Sequence, residues 1–227
     1  MMSRATTLRY RGPDVQDTVP QAAVGGSAKR AFDLAVAVPA TILLAPVRAG
    51  VAAWVRLDSP GPAIFRQRRV GAFGRPFTCL KFRSMEDGAE GRGSGLRVME
   101  GDARITRAGR VLRRLSLDEL PQLLNVIRGD MSIVGPRPTV PGQVAHYDAE
   151  QRRRLLAKPG ITGMAQVRGR AAIPWSERIA LDVRYVDEWS LALDLRILAE
   201  TVRVVVRGDG QYRGEQGGFD LAGSGDG

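Results

Sequence analysis

The sequence predicts a mainly α-helical α+β chain carrying one small β-hairpin. Three observations predict it. Apolar residues recur at helical spacing near 104–115 and over 176–189 and 191–207. Two strand-like runs, 63–68 and 76–82, flank Gly71 and Gly74 in the pattern of a hairpin. The most apolar stretch follows Lys29-Arg30 and holds 14 uncharged residues between Asp33 and Arg48, short of the ~20 that a spanning helix needs.

Composition narrows the chemistry before any motif is read. The 227 residues are 44% hydrophobic and 26% charged, values of a folded chain with room for about one domain. Thirty-four basic residues against 24 acidic give +10 and a pI near 10.8, so the expected partners are anionic: nucleic acid, lipid headgroups or phosphorylated substrates. Cys79 is the only cysteine, which excludes an intramolecular disulfide. With His146 the only histidine, a His/Cys zinc cluster is excluded and a Ser-His-Asp triad is disfavoured. Carboxylates, basic groups, hydroxyls or a hard metal ion must carry any reaction. Residues 1–28 and 208–227 have no hydrophobic period and read as mobile tails of charge +1 and −3, leaving +12 on 29–207.

Within 29–57, Pro39 and Pro46 each remove a helical hydrogen bond. Two readings follow: a proline-kinked core helix, or a segment that enters a bilayer and turns back. In the second, Lys29-Arg30 and Arg48-Arg56 keep both ends on one side among anionic headgroups. From Arg48 to Arg83 there are eight basic residues and one acid, Asp58, which points to an anion site. Residues 86–103 read as a glycine- and acid-rich loop. Arg104, Arg107, Arg110 and Arg114 then mark one face of a helix.

Ser116-Leu-Asp-Glu119 matches a capping box, and Pro121 complicates it. Either register puts Asp118 and Glu119 at a helix N-terminus, where the dipole favours anions. Two ionised carboxylates among arginines suit magnesium and a phosphorylated substrate; the plainer reading is an ordinary helix cap. Gly135-Pro-Arg137-Pro fixes an arginine between prolines, ready to grip a phosphate. Residues 158–163 form a turn sequence, followed by Gln166, Arg168 and Arg170. Leu195, Leu198, Val202 and Val205 make one apolar stripe on the last helix, for the domain core or for a membrane interface.

Taken in order, KRAFDL (29–34), the Pro46 break, KFRSM (81–85), RRLSLDELPQLLNVIRGDMSIVGPRP (113–138), KPGITGMAQVRGR (158–170) and DVRYVDEWSLALDLRIL (182–198) are far more specific than any part. The set resembles the bacterial sugar transferase family, the monotopic phosphoglycosyl transferases, over about 30–207. The resemblance implies a monotopic membrane protein: a re-entrant N-terminal helix at 29–57 and a cytoplasmic catalytic domain at 58–207 with amphipathic interfacial helices. It also implies a place on the cytoplasmic face of the inner (plasma) membrane.

The implied reaction moves a sugar-1-phosphate from a nucleotide sugar, usually UDP-linked, to polyprenyl phosphate, the first membrane step of surface glycan or exopolysaccharide synthesis. The resemblance makes Asp118 the nucleophile of an aspartyl-phosphosugar intermediate and Glu119 its partner in holding Mg2+. It makes Arg113 and Arg137 phosphate contacts, with Lys81, Arg83 and Arg170 as further substrate-binding candidates. The membrane hinge falls at Ala45-Pro46, where the family often has serine before the proline. The chain looks like the minimal catalytic form.

Two other classes stay open. A nucleic-acid binder would use the +12 middle, but no stacking aromatics interleave with the basic runs, so no nucleic acid is expected as partner. A soluble magnesium-dependent phosphohydrolase would need no lipid acceptor. A homodimer is allowed, with no heptad or interface pattern behind it.

Overall fold

The computed structural model describes residues 23–92, 98, 101–169 and 172–207. The expected tail 208–227, Arg170 and part of the 86–103 loop lie outside these, as does the N-terminal tail up to residue 22; residues 23–28, expected in that tail, are instead part of the fold, Val24 N donating to Leu156 O at 3.2 Å and Gly26 opening the first helix.

Helix α1 (Gly26–Leu43) and helix α2 (Ala45–Asp58) meet at Leu44 with a bend of 62°. The break falls just ahead of Ala45-Pro46. Pro46 lies in the first turn of α2, where its missing N–H has no helical partner to lose. Pro39 lies inside α1, which runs through it, so the second break expected there does not form. The bend frees the Thr41 carbonyl. Ala45 has no hydroxyl to offer it, and Arg48 Nη1 donates to it at 3.3 Å instead. No single helix among the described residues is long and apolar enough to cross a membrane; α1 and α2 pass that test only as a bent pair.

The root of α1 corrects another expectation. Lys29 and Arg30 do not stand at the surface among headgroups. Lys29, Asp33 and Ala37, one turn apart, form the buried stripe of α1. Lys29 Nζ donates to Asp194 Oδ2 at 2.7 Å, and Asp194 also accepts from Tyr185 Oη at 2.8 Å and Trp189 Nε1 at 3.2 Å. Asp33 Oδ1 accepts from Ser132 Oγ at 2.8 Å and Ile133 N at 3.0 Å. The Arg30 guanidinium caps the last carbonyls of a later helix, Val126 O at 2.6 Å and Ile127 O at 2.7 Å. The charges of the KRAFDL motif are thus internal ties.

Strand β1 (Ile64–Val70) pairs antiparallel with β2 (Pro76–Phe82), Ile64 opposite Phe82 and Val70 opposite Pro76. The hairpin is the one the sequence predicts, with its first strand reaching two residues further. Helix α3 (Arg107–Arg114) begins a turn later than its arginine period implies, because Arg104 is tied to Asp102 in the preceding loop. Thr106 caps it by accepting from Gly109 N at 2.9 Å, and Asp58 Oδ2, from the end of α2, accepts from Ala108 N at 2.9 Å.

Helix α4 (Gln122–Arg128) follows a 3₁₀ turn, Leu117–Glu119. Asn125, fully buried on α4, clamps the hairpin: Oδ1 accepts from Leu80 N at 3.1 Å and Nδ2 donates to Thr78 O at 2.8 Å. Strand β3 (Ser132–Val134), helices α5 (Pro141–Val144) and α6 (Ala149–Arg152), strand β4 (Gly160–Thr162) and helix α7 (Met164–Arg168) come next. β3 and β4 pair in parallel, Ser132 opposite Gly160 and Val134 opposite Thr162. This pair was not expected; residues 158–163 read only as a turn. Its closeness explains the glycines: a Cβ on Gly160 would meet Gly135 N at 2.1 Å, and one on Gly163 would meet Gly135 O at 2.1 Å.

Helices α8 (Trp175–Asp187) and α9 (Leu191–Arg207) close the fold within two residues of their predicted bounds. One core joins α1, the hairpin, α4, β3 and α7 to α8 and α9 around Ala37, Cys79, Val126, Met131, Tyr185 and Ile197. A second, around Val51, Val55, Phe82 and Leu112, packs α2 on α3 and the hairpin. The expected single stripe of α9 divides. Leu198 joins the core, Leu195 and Val202 face outward with Val206, and Val205 lines a cavity.

Candidate active site

The cavity measures about 220 Å³ and is walled by the hairpin, the 3₁₀ turn, the Gly135-Pro-Arg137-Pro segment and helices α7, α8 and α9. Asp118 and Glu119 both line it. They lie not in a regular helix start but in the 3₁₀ turn. Ser116, which precedes it, holds φ 55° and ψ 22°, a left-handed conformation uncommon for serine, and makes no side-chain cap. The capping box predicted at Ser116 and Glu119 therefore does not form. Its residues turn instead toward the cavity.

Glu119 is the anchored member of the pair. Oε1 accepts from Lys81 Nζ at 3.1 Å and from Arg137 Nη2 at 2.9 Å. Lys81 comes from β2, held against α4 by Asn125; Arg137 comes from the Pro-bracketed segment after β3. Burial pushes the Glu119 carboxyl up, but the Arg137 and Lys81 charges outweigh it and hold the group well below the usual carboxylate range. Among the described residues no donor reaches Oε2 or either oxygen of Asp118. Asp118 moves the other way. Burial, then the adjacent Glu119 charge, raise its pKa, against the opposing charges of Lys81, Arg113 and Arg137. Arg113, from α3, lines the cavity with them.

The structure thus brings Lys81, Arg113, Asp118, Glu119 and Arg137 together. Arg83 is absent from that cavity but lines an adjoining one of about 470 Å³, which Lys81, Arg113 and Asp118 also line. Its buried guanidinium grips the end of α2: Nε donates to Pro62 O at 2.8 Å, Nη1 to Ser59 Oγ at 2.6 Å and Nη2 to Ser59 O at 2.7 Å. That donor set is committed to backbone and a serine, so Arg83 clamps the wall of the adjoining cavity to α2. Arg170 lies outside the described residues.

The sequence reading also missed part of the wall. Arg154 and Asp182 form a buried ion pair there, and Trp175, Ile179 and Asp182 line the cavity from one face of α8. The spacing of these three, one turn and then another, was the available signal.

A magnesium ion fits this donor set by its chemistry. Mg2+ takes one or two carboxylates and completes its shell with water and substrate phosphates. Asp118 and Glu119 Oε2 would supply the carboxylate oxygens, no donor among the described residues competing for them, and the surrounding cations suit the phosphates. Among the described residues there is no group of three or more His, Cys, Asp or Glu side chains that would form an all-protein cage.

Residues 24–208 match the family model described as bacterial sugar transferase. The chain belongs to the bacterial sugar transferase family. EpsL of Bacillus subtilis (strain 168), described as an uncharacterized sugar transferase, is 46% identical over 182 residues, 80% of this chain and 89% of that protein. The exopolysaccharide production protein ExoY of Sinorhizobium fredii (strain NBRC 101917 / NGR234) is 41% identical over 224 residues, 92% of this chain and 98% of that one. The UDP-glucose:undecaprenyl-phosphate glucose-1-phosphate transferase of Caulobacter vibrioides (strain ATCC 19089 / CIP 103742 / CB 15) is 44% identical over 217 residues, 91% and 78% respectively. None of these three is described as a nucleic-acid binder or a phosphohydrolase.

Proposed function

We propose that this bacterial sugar transferase moves a sugar-1-phosphate from a UDP-sugar to a polyprenyl phosphate, through a covalent phosphosugar on Asp118. One observation carries the reading: a carboxylate with no donor among the described residues stands beside an anchored carboxylate, in one cavity with Lys81, Arg113 and Arg137. The names of the relatives support the substrate class, UDP-glucose and undecaprenyl phosphate being those of the Caulobacter protein.

An Asp118 oxygen attacks the phosphorus that carries the sugar. The P–O bond to the nucleoside monophosphate breaks, and UMP leaves with the bridging oxygen. A phosphate oxygen of the lipid then attacks the same phosphorus, the Asp118–phosphorus bond breaks, and the carboxylate is restored as polyprenyl-diphosphate-sugar forms. Arg113, Lys81 and Arg137 offset the negative charge that otherwise repels a carboxylate from a phosphate. Magnesium, held by Asp118 and Glu119, would orient the phosphates and neutralise charge at the departing oxygen. The bent pair α1–α2 would enter the cytoplasmic leaflet of the inner membrane and return. Its exposed tip residues Ile42, Leu43 and Val47 are the apolar surface for that contact.

Purified protein incubated with a panel of nucleotide sugars and polyprenyl phosphate should release UMP with one or a few donors. Labelled UMP should exchange into the donor with no acceptor present. Transfer without such exchange would replace the covalent route by direct attack of the lipid. For topology, Pro20→Cys and Leu57→Cys in a Cys79→Ala background should label from the same side of the membrane. Labelling from opposite sides would overturn the re-entrant arrangement and leave the chemistry standing.

A further inference from the structure

Two cavities meet at the dyad. The first, of about 220 Å³, is the one that Asp118 and Glu119 share; the second, of about 470 Å³, is walled by the hairpin and residues 84–91. Lys81, Arg113 and Asp118 line both. The two differ in what they leave unpaired. In the first, the buried Nε of Arg113 and of Arg154, both amide atoms of Gln166 and Asp182 Oδ1 have no hydrogen-bond partner among the described residues. Of these only Arg113 Nε also belongs to the second. There Arg83 is spent on Ser59 and Pro62, and Arg69 donates to Gln67 Oε1 at 2.6 Å and Pro138 O at 2.8 Å. Glu86, Asp87 and Glu90 of its wall are exposed carboxylates, so an anion in this chamber belongs at the Lys81–Arg113 end.

A buried donor or acceptor left unpaired is unfavourable until a ligand completes it. The first cavity therefore calls for a ligand with donors and acceptors along its length, which describes a nucleotide sugar and excludes a hydrocarbon chain. The second calls for one anion beside Arg113 and Lys81, and otherwise for apolar surface to set against Ile64, Phe65, Phe82 and Met85. A phosphate carried on a polyprenyl chain has that make-up.

Position agrees with chemistry. The chain of such a lipid has to stay in the bilayer, because drawing it into water is strongly unfavourable. The second chamber adjoins the α1–α2 pair that is read above as entering the membrane. Ile64 and Phe82 line it and pack with Val51 and Val55 of α2, and Arg83 Nη2 donates to Val55 O at 3.3 Å. Val47, Trp54 and Leu57 of α2, all exposed, fall within about 80° of its surface. They make one apolar stripe from the bend to the last turn, a few residues before the hairpin. Among the described residues, none that lines the first cavity comes from α1, α2 or the core around Val51 and Val55.

We propose that the 470 Å³ chamber is the acceptor site. The first isoprene units lie along Ile64, Phe65 and Met85, and the lipid phosphate reaches Asp118 past Arg113 and Lys81, while the body of the donor keeps to the first cavity. The inference rests on the transferase reading above and goes beyond it by giving the lipid an entrance of its own. UMP leaves opposite the Asp118 oxygen, and the lipid phosphate oxygen enters along the same line, bonding to phosphorus as the Asp118–phosphorus bond breaks. Only the two phosphates have to share a place in turn; the nucleoside and the chain can lie in different chambers.

Phe65, half-buried in β1, gives the test. In Phe65→Gln the KM for polyprenyl phosphate should rise about ten- to hundredfold, the range of one lost aromatic contact. Exchange of labelled UMP into the donor, which needs no acceptor, should change less than about twofold. The ratio of KM values between a single-isoprene phosphate and a long polyprenyl phosphate should shrink, whereas a merely structural defect would leave it alone. An unchanged acceptor KM or an unchanged ratio overturns the inference, and an equal loss of exchange overturns it by placing the donor in this chamber. A second measurement needs no variant. Polyprenyl phosphate with a diazirine on its first isoprene unit, irradiated with the wild-type protein in detergent micelles, should label residues 62–69. Labels on α7 or α8 instead, or none on the hairpin, overturn it. Failure of the wild-type protein to transfer from any donor in the panel removes the transferase reading itself, a result distinct from each of these.

Discussion

Arg137 Nη2 lies 2.9 Å from Glu119 Oε1, joining the Pro-bracketed segment after β3 to the turn before α4. Two adjacent carboxylates thereby acquire different characters. Glu119 is anchored and held ionised, while Asp118, one residue away, accepts from no donor among the described residues and is pushed toward its neutral form. A nucleophile needs open lone pairs, and a positioning group needs fixed ones.

The two residues should therefore respond to neutralisation with opposite signs of stability. Asp118→Asn removes a buried charge next to a like charge, so the melting temperature should hold or rise while turnover falls by at least about a thousandfold, as loss of a nucleophile does. Glu119→Gln leaves Lys81 and Arg137 facing a neutral amide and should destabilise by about 1–3 kcal/mol. Thermal melts and UMP release, measured on both variants, check this. Near-normal turnover in Asp118→Asn would sink the assignment.

The pH dependence follows from the same geometry. Glu119 has a folded pKa below its ordinary 4.5, so its contribution to stability is present above pH 4.5 and is lost as pH falls through the folded value. Asp118 has a folded pKa above its ordinary 3.8, so it favours the fold below pH 3.8 and loses that contribution as pH rises through the folded value. The acid limb of kcat/KM should lie above pH 3.8, where Asp118 becomes the nucleophilic carboxylate. Lys81→Met removes a charge that lowers the Asp118 pKa and should move that limb to higher pH. A limb that stays still or moves down would show that another group controls it.

The α1 root predicts where ion pairs matter most. Lys29→Met strands Asp194, which is fully buried, and should cost about 3–5 kcal/mol. Arg184→Ala breaks an exposed pair with Glu188 and should cost less than about 1 kcal/mol. Denaturant titration of the two variants in the same detergent gives the contrast directly.

At the bend, Arg48 should be replaceable by a hydroxyl. Arg48→Leu leaves the Thr41 carbonyl without its donor and should lower stability by about 1 kcal/mol. Ala45→Ser in that background places a hydroxyl four residues after Thr41, where it can donate back to the same carbonyl. The double variant should recover most of the loss; no recovery would mean that Arg48 acts through packing.

The legible features were those written in local pattern. The hairpin, α8 and α9 follow from alternation and helical period, and the gathering of cations around Asp118 and Glu119 from charge density and the family motifs. The parallel pair β3–β4 escaped because three residues per strand carry no period, and its glycines report a contact between segments 25 residues apart rather than a turn. The clamping role of Arg83 was illegible for a different reason. A guanidinium that caps a helix and one that binds a phosphate are the same letter in a sequence, and only the nearby carbonyls of Ser59 and Pro62 separate them. Lys29 and Arg30 carried the same ambiguity.

The tie between Lys29 and Asp194 spans 165 residues, so it has a meaning in time as well as in space. At about 5–20 residues per second of synthesis, α1 leaves the ribosome roughly 10–30 s before the residue that neutralises it. Throughout that interval Lys29 has, among the described residues, Asp33 and the Phe32 ring of its own helix for company. Of the described helices, the first to be made thus receives its last tie only when Asp194, in the first turn of α9, has been added.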